Sequence, residues 1–193
     1  MLTHKGTQTI ETMRLILRRA APQDAEPMFR NWASDPEVTK YLTWPPHESI
    51  EVTKNLLAGW ASEYARDDYY HWMIVLKETG EPIGSLLASI LGRAQSAHIG
   101  YCIGKAWWHQ GITSEALQAV IAYLFNEIGF QRIESMHDPN NPNSGRVMRK
   151  CGMQYEGTHK MADRNNQGIC DAAYYAVLRG DFESRKKENC KCY

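Results

Sequence analysis

The stretch from Trp107 to Ala119, WWHQGITSEALQA, constrains this chain more than any other. An aromatic-rich segment meets a single glycine, Gly111, and Thr113, Ser114 and Glu115 then open a helix. Its apolar residues Leu117, Val120, Ile121, Leu124 and Ile128 recur at three- and four-residue steps, so one stripe must face a core. Gly129 is placed to end it. The first N–H groups of a helix lack intrahelical partners and carry partial positive charge. A strand entering such a helix through glycine aims backbone donors at an anion, phosphate above all. Gly111 supplies the permissive backbone and leaves no side chain to block a close approach. An ordinary strand-to-helix turn can carry the same residues, so the rest of the chain has to decide.

The elements before that helix read as strand, helix, helix and three strands. Arg14 to Arg18 alternates, with Leu15 and Leu17 on one face. Asp24 is the expected N-cap of a short helix carrying Met28, Phe29 and Trp32, and Ser49 that of a helix through Val52, Leu56, Leu57 and Trp60. Pro45 and Pro46 make the segment between them a loop. Strands are expected at Trp72–Lys77, Ile83–Ile90 and Ala97–Ile103, the first two joined by the turn Glu78-Thr79-Gly80-Glu81. After the Gly111 helix come a strand at Arg132–His137 and a helix opened by Asn141-Pro142-Asn143-Ser144 and closed by Cys151-Gly152. Strands near Met153–Lys160 and Cys170–Leu178 follow, separated by a turn over Asp163 to Gly168. The order β-α-α-β-β-β-α-β-α-β-β predicts a mixed α/β domain around one central sheet.

At 193 residues the chain suits one domain with a sizeable core. Its formal net charge is zero, and neither nucleic acid nor an anionic membrane is an expected partner. No apolar run approaches the roughly 20 residues that span a bilayer, and the polar start MLTHKGTQTIET lacks a signal-peptide core, so a cytoplasmic location is expected. The five cysteines are irregularly spaced and imply no disulfide framework. Cys102 sits in an apolar run. Cys190 and Cys192 fall in a charged tail, ESRKKENCKCY, expected to fray and to hold no metal.

Four segments in this order resemble the GNAT superfamily of acetyl-CoA-dependent N-acetyltransferases, and most of all its ribosomal-protein alanine N-acetyltransferase (Rim-type) branch. They are Thr12 to Arg18; Ile99-Gly100-Tyr101; Trp108 to Leu117; and Asn141-Pro142-Asn143-Ser144 with Cys151-Gly152-Met153 and Glu156-Gly157. The resemblance spans residues 12–182, with 1–11 as an N-terminal extension and 183–193 as the tail. It implies a mostly antiparallel sheet splayed between its fourth and fifth strands. It also implies acetyl-CoA as acyl donor, a primary amine as acceptor (a protein N-terminus or a small amine), and a homodimer as a common assembly. The phosphate turn departs from the family pattern. Trp108, Gly111 and Thr113 occupy the places of an Arg or Gln and two small residues, and His109 replaces a frequent glycine.

Site residues follow from the same resemblance. His109, Gln110, Gly111, Ile112, Thr113 and Ser114 would hold the pyrophosphate. The edge ending at Ile103 would hold the pantetheine arm, with Asn141 bonded to that arm. Separately from the resemblance, Arg146, Arg149 and Lys150 share one side of their helix, which is either a plain basic surface or the group, Arg149 above all, that meets the 3′-phosphate. Ser144 would lie near the sulfur as a general acid. Many relatives carry a carboxylate base where His98 or Met136 stands here. The base is left between His98, which titrates near neutrality, and Asp163. Tyr101 would orient the carbonyl, and Trp32, Tyr41 and Trp44, on the first two helices and the loop between them, would meet the acceptor. A non-catalytic CoA-binding module is the rival reading, suggested by the irregular turn and the absent strand carboxylate.

Overall fold

The computed structural model describes residues 1–190, with side chains described through Arg185. Eight strands form one sheet: β1 (Ile10–Glu11), β2 (Leu15–Arg18), β3 (Tyr70–Leu76), β4 (Pro82–Leu91), β5 (Ser96–Ile103), β6 (Arg132–His137), β7 (Gln154–Asn165) and β8 (Gly168–Leu178). Their order is β1-β2-β3-β4-β5-β6-β8-β7, and every neighbouring pair is antiparallel except β5 and β6. The expected fourth and fifth strands are β5 and β6, because β1 adds one strand at the start.

Strand alternation gives the sheet two apolar faces. On one, Leu15, Leu17, Trp72, Ile74, Ile99 and Ile133 pack beneath α4 (Ile112–Tyr123) and α5 (Pro142–Lys150). On the other, Met73 and Val75 pack beneath α1 (Ala25–Met28), α2 (Pro36–Thr39) and α3 (Ile50–Glu63), together with Met28, Trp32 and Leu57. The result is helices over both faces of a single sheet, the mixed α/β architecture that the element order predicts.

Several local expectations are corrected. Asp24 takes the N-cap position of α1, but its side chain makes no cap bond there. Its carboxylate is buried, takes two bonds from Arg18 at 2.7 Å and accepts from the Ala21 N–H. The first helix is also interrupted by a π-turn over Phe29–Ala33. β7 runs on to Asn165, so Asp163 lies in a strand opposite Cys170, and the turn shrinks to Asn166-Gln167. Residues expected to fray form α6 (Arg179–Cys190), which Phe182 pins through a ring contact with Phe125; Cys192 lies outside the described residues. Residues 3–8 are bound into the domain. Thr3 N–H donates to Ile128, Thr7 bridges the backbones of Tyr69 and His71, and the Trp72 indole donates to Gln8. No described helix is long and apolar enough to cross a membrane.

Candidate active site

The parallel pairing of β5 with β6 lasts only through Ser96, Ala97 and His98, opposite Arg132, Ile133 and Glu134. Beyond it the strands part. The Ser135 hydroxyl reaches across to the Ile99 carbonyl at 2.7 Å, which shows that Ile99 turns its backbone groups toward β6. With a two-residue period, Tyr101 and Ile103 turn theirs the same way. The Ile103 carbonyl is taken by the Trp108 indole N–H at 3.0 Å. The Tyr101 amide and carbonyl are left facing the gap without a strand partner, an edge suited to an extended arm carrying its own amides.

Immediately past that edge the chain turns into α4. Gly111 is its N-cap in the left-handed region, at φ +76°. His109 is left-handed too, at φ +61°, which explains why a glycine would be favoured in its place. The first helical bond returns from the Glu115 N–H to the Gly111 carbonyl. The N–H groups of Ile112, Thr113 and Ser114 are thereby left at a positive helix end. Lys150, on α5, brings its ammonium within 3.5 Å of where a Gly111 Cβ would stand.

Glu115 clamps this turn to the segment that joins β1 to β2. It accepts from the Thr12 hydroxyl at 2.6 Å, the Arg14 N–H at 2.9 Å and the Arg14 guanidinium at 2.7 Å. Arg14 in turn donates to the Gln110 carbonyl. Burial opposes the charge of Glu115, but these bonds and the Arg14 charge outweigh it and hold its pKa below the ordinary 4.5. A depressed folded pKa stabilises the fold above the unfolded value, and that contribution fades as pH falls through the folded one. Glu115→Gln should therefore lower stability by about 2 kcal/mol at pH 7. In thermal melts the gap between the two chains should close below pH 4, and a gap of constant size would show that the charge is not what matters.

One cavity of about 1240 Å³ runs from this turn, past the strand splay, to the loop between α2 and α3. It gathers His98, Tyr101, Ile103, His109, Gly111, Thr113, Ser114, Asn141, Ser144 and Asp163 with Tyr41 and Trp44. Other expected residues take different places. Trp32 is fully buried in the second core cluster, so it is a packing residue and not part of an acceptor wall. Ile112 also buries its side chain and offers only its backbone N–H. Arg149 turns away: its guanidinium donates to the Tyr175 hydroxyl at 3.0 Å and lies over that ring, while Arg146 and Lys150 of the same helix face the cavity. Gln110 lines a shallow neighbouring depression and donates to the Ala106 carbonyl.

At the start of α5, Asn141 donates to the Ser144 hydroxyl oxygen at 3.2 Å. With its oxygen already accepting, Ser144 has its own proton available for a group in the cavity. Tyr101 is committed elsewhere, donating to the Ser144 carbonyl at 3.0 Å, and burial pushes its phenol far above the usual range. It braces α5 against β5 as a neutral hydroxyl. Burial also lowers the His98 pKa, and the charges of Glu134 and Asp163 offset this only in part. His98 is thus a neutral imidazole at pH 7.

Across the cavity, Asn166 in the β7–β8 turn donates through its amide to the carbonyls of Thr39 and Trp44, and its N–H donates to that of Leu42. The hairpin tip is thereby fastened to the aromatic loop. Sequence reasoning passes over Asp138, His137, His47 and His71, which line the same cavity. Strand register is the signal available for Asp138: it follows Met136 by two positions, the interval that returns a side chain to the same sheet face.

An acetyltransferase (GNAT) domain description matches residues 14–154, nearly three-quarters of the chain. The chain belongs to the GNAT acetyltransferases. It is 32% identical to the uncharacterized N-acetyltransferase YoaA of Bacillus subtilis over 88% of this chain and 96% of that one. It is 26% identical to the L-amino acid N-acetyltransferase AaaT of Escherichia coli, over 86% and 98% of the two chains. Among solved structures, RimL, a ribosomal L7/L12 alpha-N-protein acetyltransferase in complex with coenzyme A, shares the fold at a TM-score of 0.79 and 24% identity, covering 89% of this chain and 98% of that one. This GNAT chain is an acetyl-CoA-dependent N-acetyltransferase.

Proposed function

We propose that this GNAT enzyme acetylates a primary amine by direct attack on acetyl-CoA, with donor and acceptor bound together. The observation that carries this is the single cavity joining the helix-start amides, the unpaired β5 edge and an aromatic acceptor mouth. A donor laid along the splay would put its thioester beside Ser144, with the acceptor entering from the Tyr41–Trp44 side. The amine nitrogen bonds to the carbonyl carbon, the C–S bond breaks, and the sulfur leaves with a proton from the Ser144 hydroxyl, which is replaced by the proton that the attacking nitrogen sheds. Coenzyme and amine held in one cavity gain most of their advantage from placement.

Small amines and peptide N-termini both suit such a mouth. The L-amino acid specificity of AaaT and the protein N-terminus in the name of RimL bracket that range. The test is thiol release from acetyl-CoA against a panel of alkylamines, amino-acid amides and short peptides, alongside calorimetry of coenzyme A. Turnover of at least one member is expected, whereas binding without turnover would favour a non-catalytic CoA-binding module. Ser144→Ala should lower kcat about 10- to 100-fold and leave the calorimetric affinity for coenzyme A within about twofold. An unchanged kcat would remove Ser144 from the proton path.

A further inference from the structure

We infer that Asp138 is the site on this chain that anchors the acceptor's ammonium group and takes its first proton. The inference rests on the acetyltransferase reading and adds to it a residue and a charge class for the acceptor. Met136 holds a β6 position that carries no carboxylate. Asp138, one residue beyond β6, continues the same alternation, lines the cavity and is only 6% exposed. One carboxylate oxygen accepts from the Asn140 N–H and the other from the Asn165 amide, each at 2.8 Å. The group is therefore fixed in direction before any ligand arrives.

Its charge is fixed but unbalanced. Glu134, four positions earlier on the same sheet face, is paired with Arg132 and Arg93, and Glu37 at the acceptor mouth is paired with Lys105. Asp138 has no ion-pair partner among the described residues. Its two N–H bonds satisfy the carboxylate oxygens without supplying a countercharge, and a bound ammonium would supply one. The Cys170 thiol beside it is pushed up, first by burial and then by the Asp138 and Asp163 charges, so the neighbouring sulfur stays neutral and supplies no competing charge. Asp163 shares the unpaired state, but it is more exposed and accepts no hydrogen bond among the described residues that would aim it.

The proton balance is simple. An acceptor arriving as RNH3+ gives one proton to Asp138, and the neutral amine attacks the thioester carbon. The second proton leaves the nitrogen as the C–S bond breaks and replaces the one that Ser144 gives to the departing sulfur. The first passes from Asp138 to water.

The test compares Asp138→Asn with the unmodified chain over the amine panel. An aliphatic amine, with a pKa of about 10.4, needs the proton removed far more than a peptide α-amine, with a pKa of about 8. At pH 7 the loss in kcat/KM should be about 10²- to 10³-fold for alkylamines, and at least about fivefold smaller for α-amines. Calorimetric affinity for coenzyme A should stay the same. Asn165→Ala keeps the carboxylate but frees one oxygen, and should lose about tenfold with the same ordering of acceptors. Equal losses for both amine classes in Asp138→Asn, or losses below threefold, would overturn the assignment and leave the acetyltransferase reading standing. No turnover of any panel member by the unmodified chain would remove that reading and this assignment with it.

Discussion

Truncating Trp72 to alanine should cost about 3–5 kcal/mol of unfolding free energy. Trp72 is fully buried at the centre of β3. It stacks beside Tyr70 with ring centroids 6.1 Å apart and meets the edge of Tyr123 from α4 at 5.8 Å. Aromatic pairs of this kind add to the area they bury. Its indole N–H also donates to the Gln8 carbonyl at 2.7 Å, so the substitution opens a cavity and leaves a backbone acceptor unpaired. The same bond ties the N-terminal segment to the sheet, and residues 3–8 should become protease-sensitive in the variant while α5 does not. Urea unfolding read by fluorescence and far-UV dichroism would measure the loss. A change of less than about 1.5 kcal/mol would mean that the site collapses around the void, contrary to the close packing seen on both sides of the ring.

Gly104→Val should strike fold and coenzyme binding together. Gly104 joins β5 to the short turn that leads to Gly111. A Cβ there would stand 2.5 Å from the Asn31 carbonyl oxygen and 2.8 Å from the Trp107 ring. The carbonyl belongs to the π-turn of the first helix and is backbone, so it cannot swing aside as a side chain would. Overpacking typically costs about 1–3 kcal/mol, and two further valine carbons should put this site at or above the top of that range. Relief by moving the turn outward would shift Trp108, whose indole holds the Ile103 carbonyl, and with it the helix-start amides. The expected result is a melting point lower by about 10 °C or more and a coenzyme A affinity at least about tenfold weaker by calorimetry. Full affinity in the folded variant would show that the turn is positioned independently of its seat on Asn31.

Period and glycine placement make most of the architecture readable from the sequence. The strand at Ala97–Ile103, the helix after Gly111 and the helix after Asn141 all carry their signals locally, in side-chain spacing and in residues that permit one backbone shape. The errors share a different cause. Asp24 satisfies the local rule for an N-cap, but Arg18 on the neighbouring strand offers its carboxylate two charged bonds, and those dominate. Trp32 reads as an acceptor-wall residue because its helix contributes to that wall, yet it lies four positions after Met28, on the same helix face, and is buried with it in the core. Arg149 shares a helix side with Arg146 and Lys150 in one dimension, and only the three-dimensional position of Tyr175 separates them. Asp138 is hidden in the sequence for a related reason. Its significance lies in the unpaired charge, which depends on where Arg132, Arg93 and Lys105 spend theirs.

The grip of Asn166 on Thr39, Leu42 and Trp44 divides the responsibilities of the chain. In the proposed arrangement the groups assigned to the donor all lie within residues 99–150, whereas the far rim is an early loop held by a late hairpin. Insertions or exchanges at that rim can retune which amines are admitted without disturbing thioester capture. Variation in taste among enzymes built this way should concentrate where that early loop and that late hairpin touch.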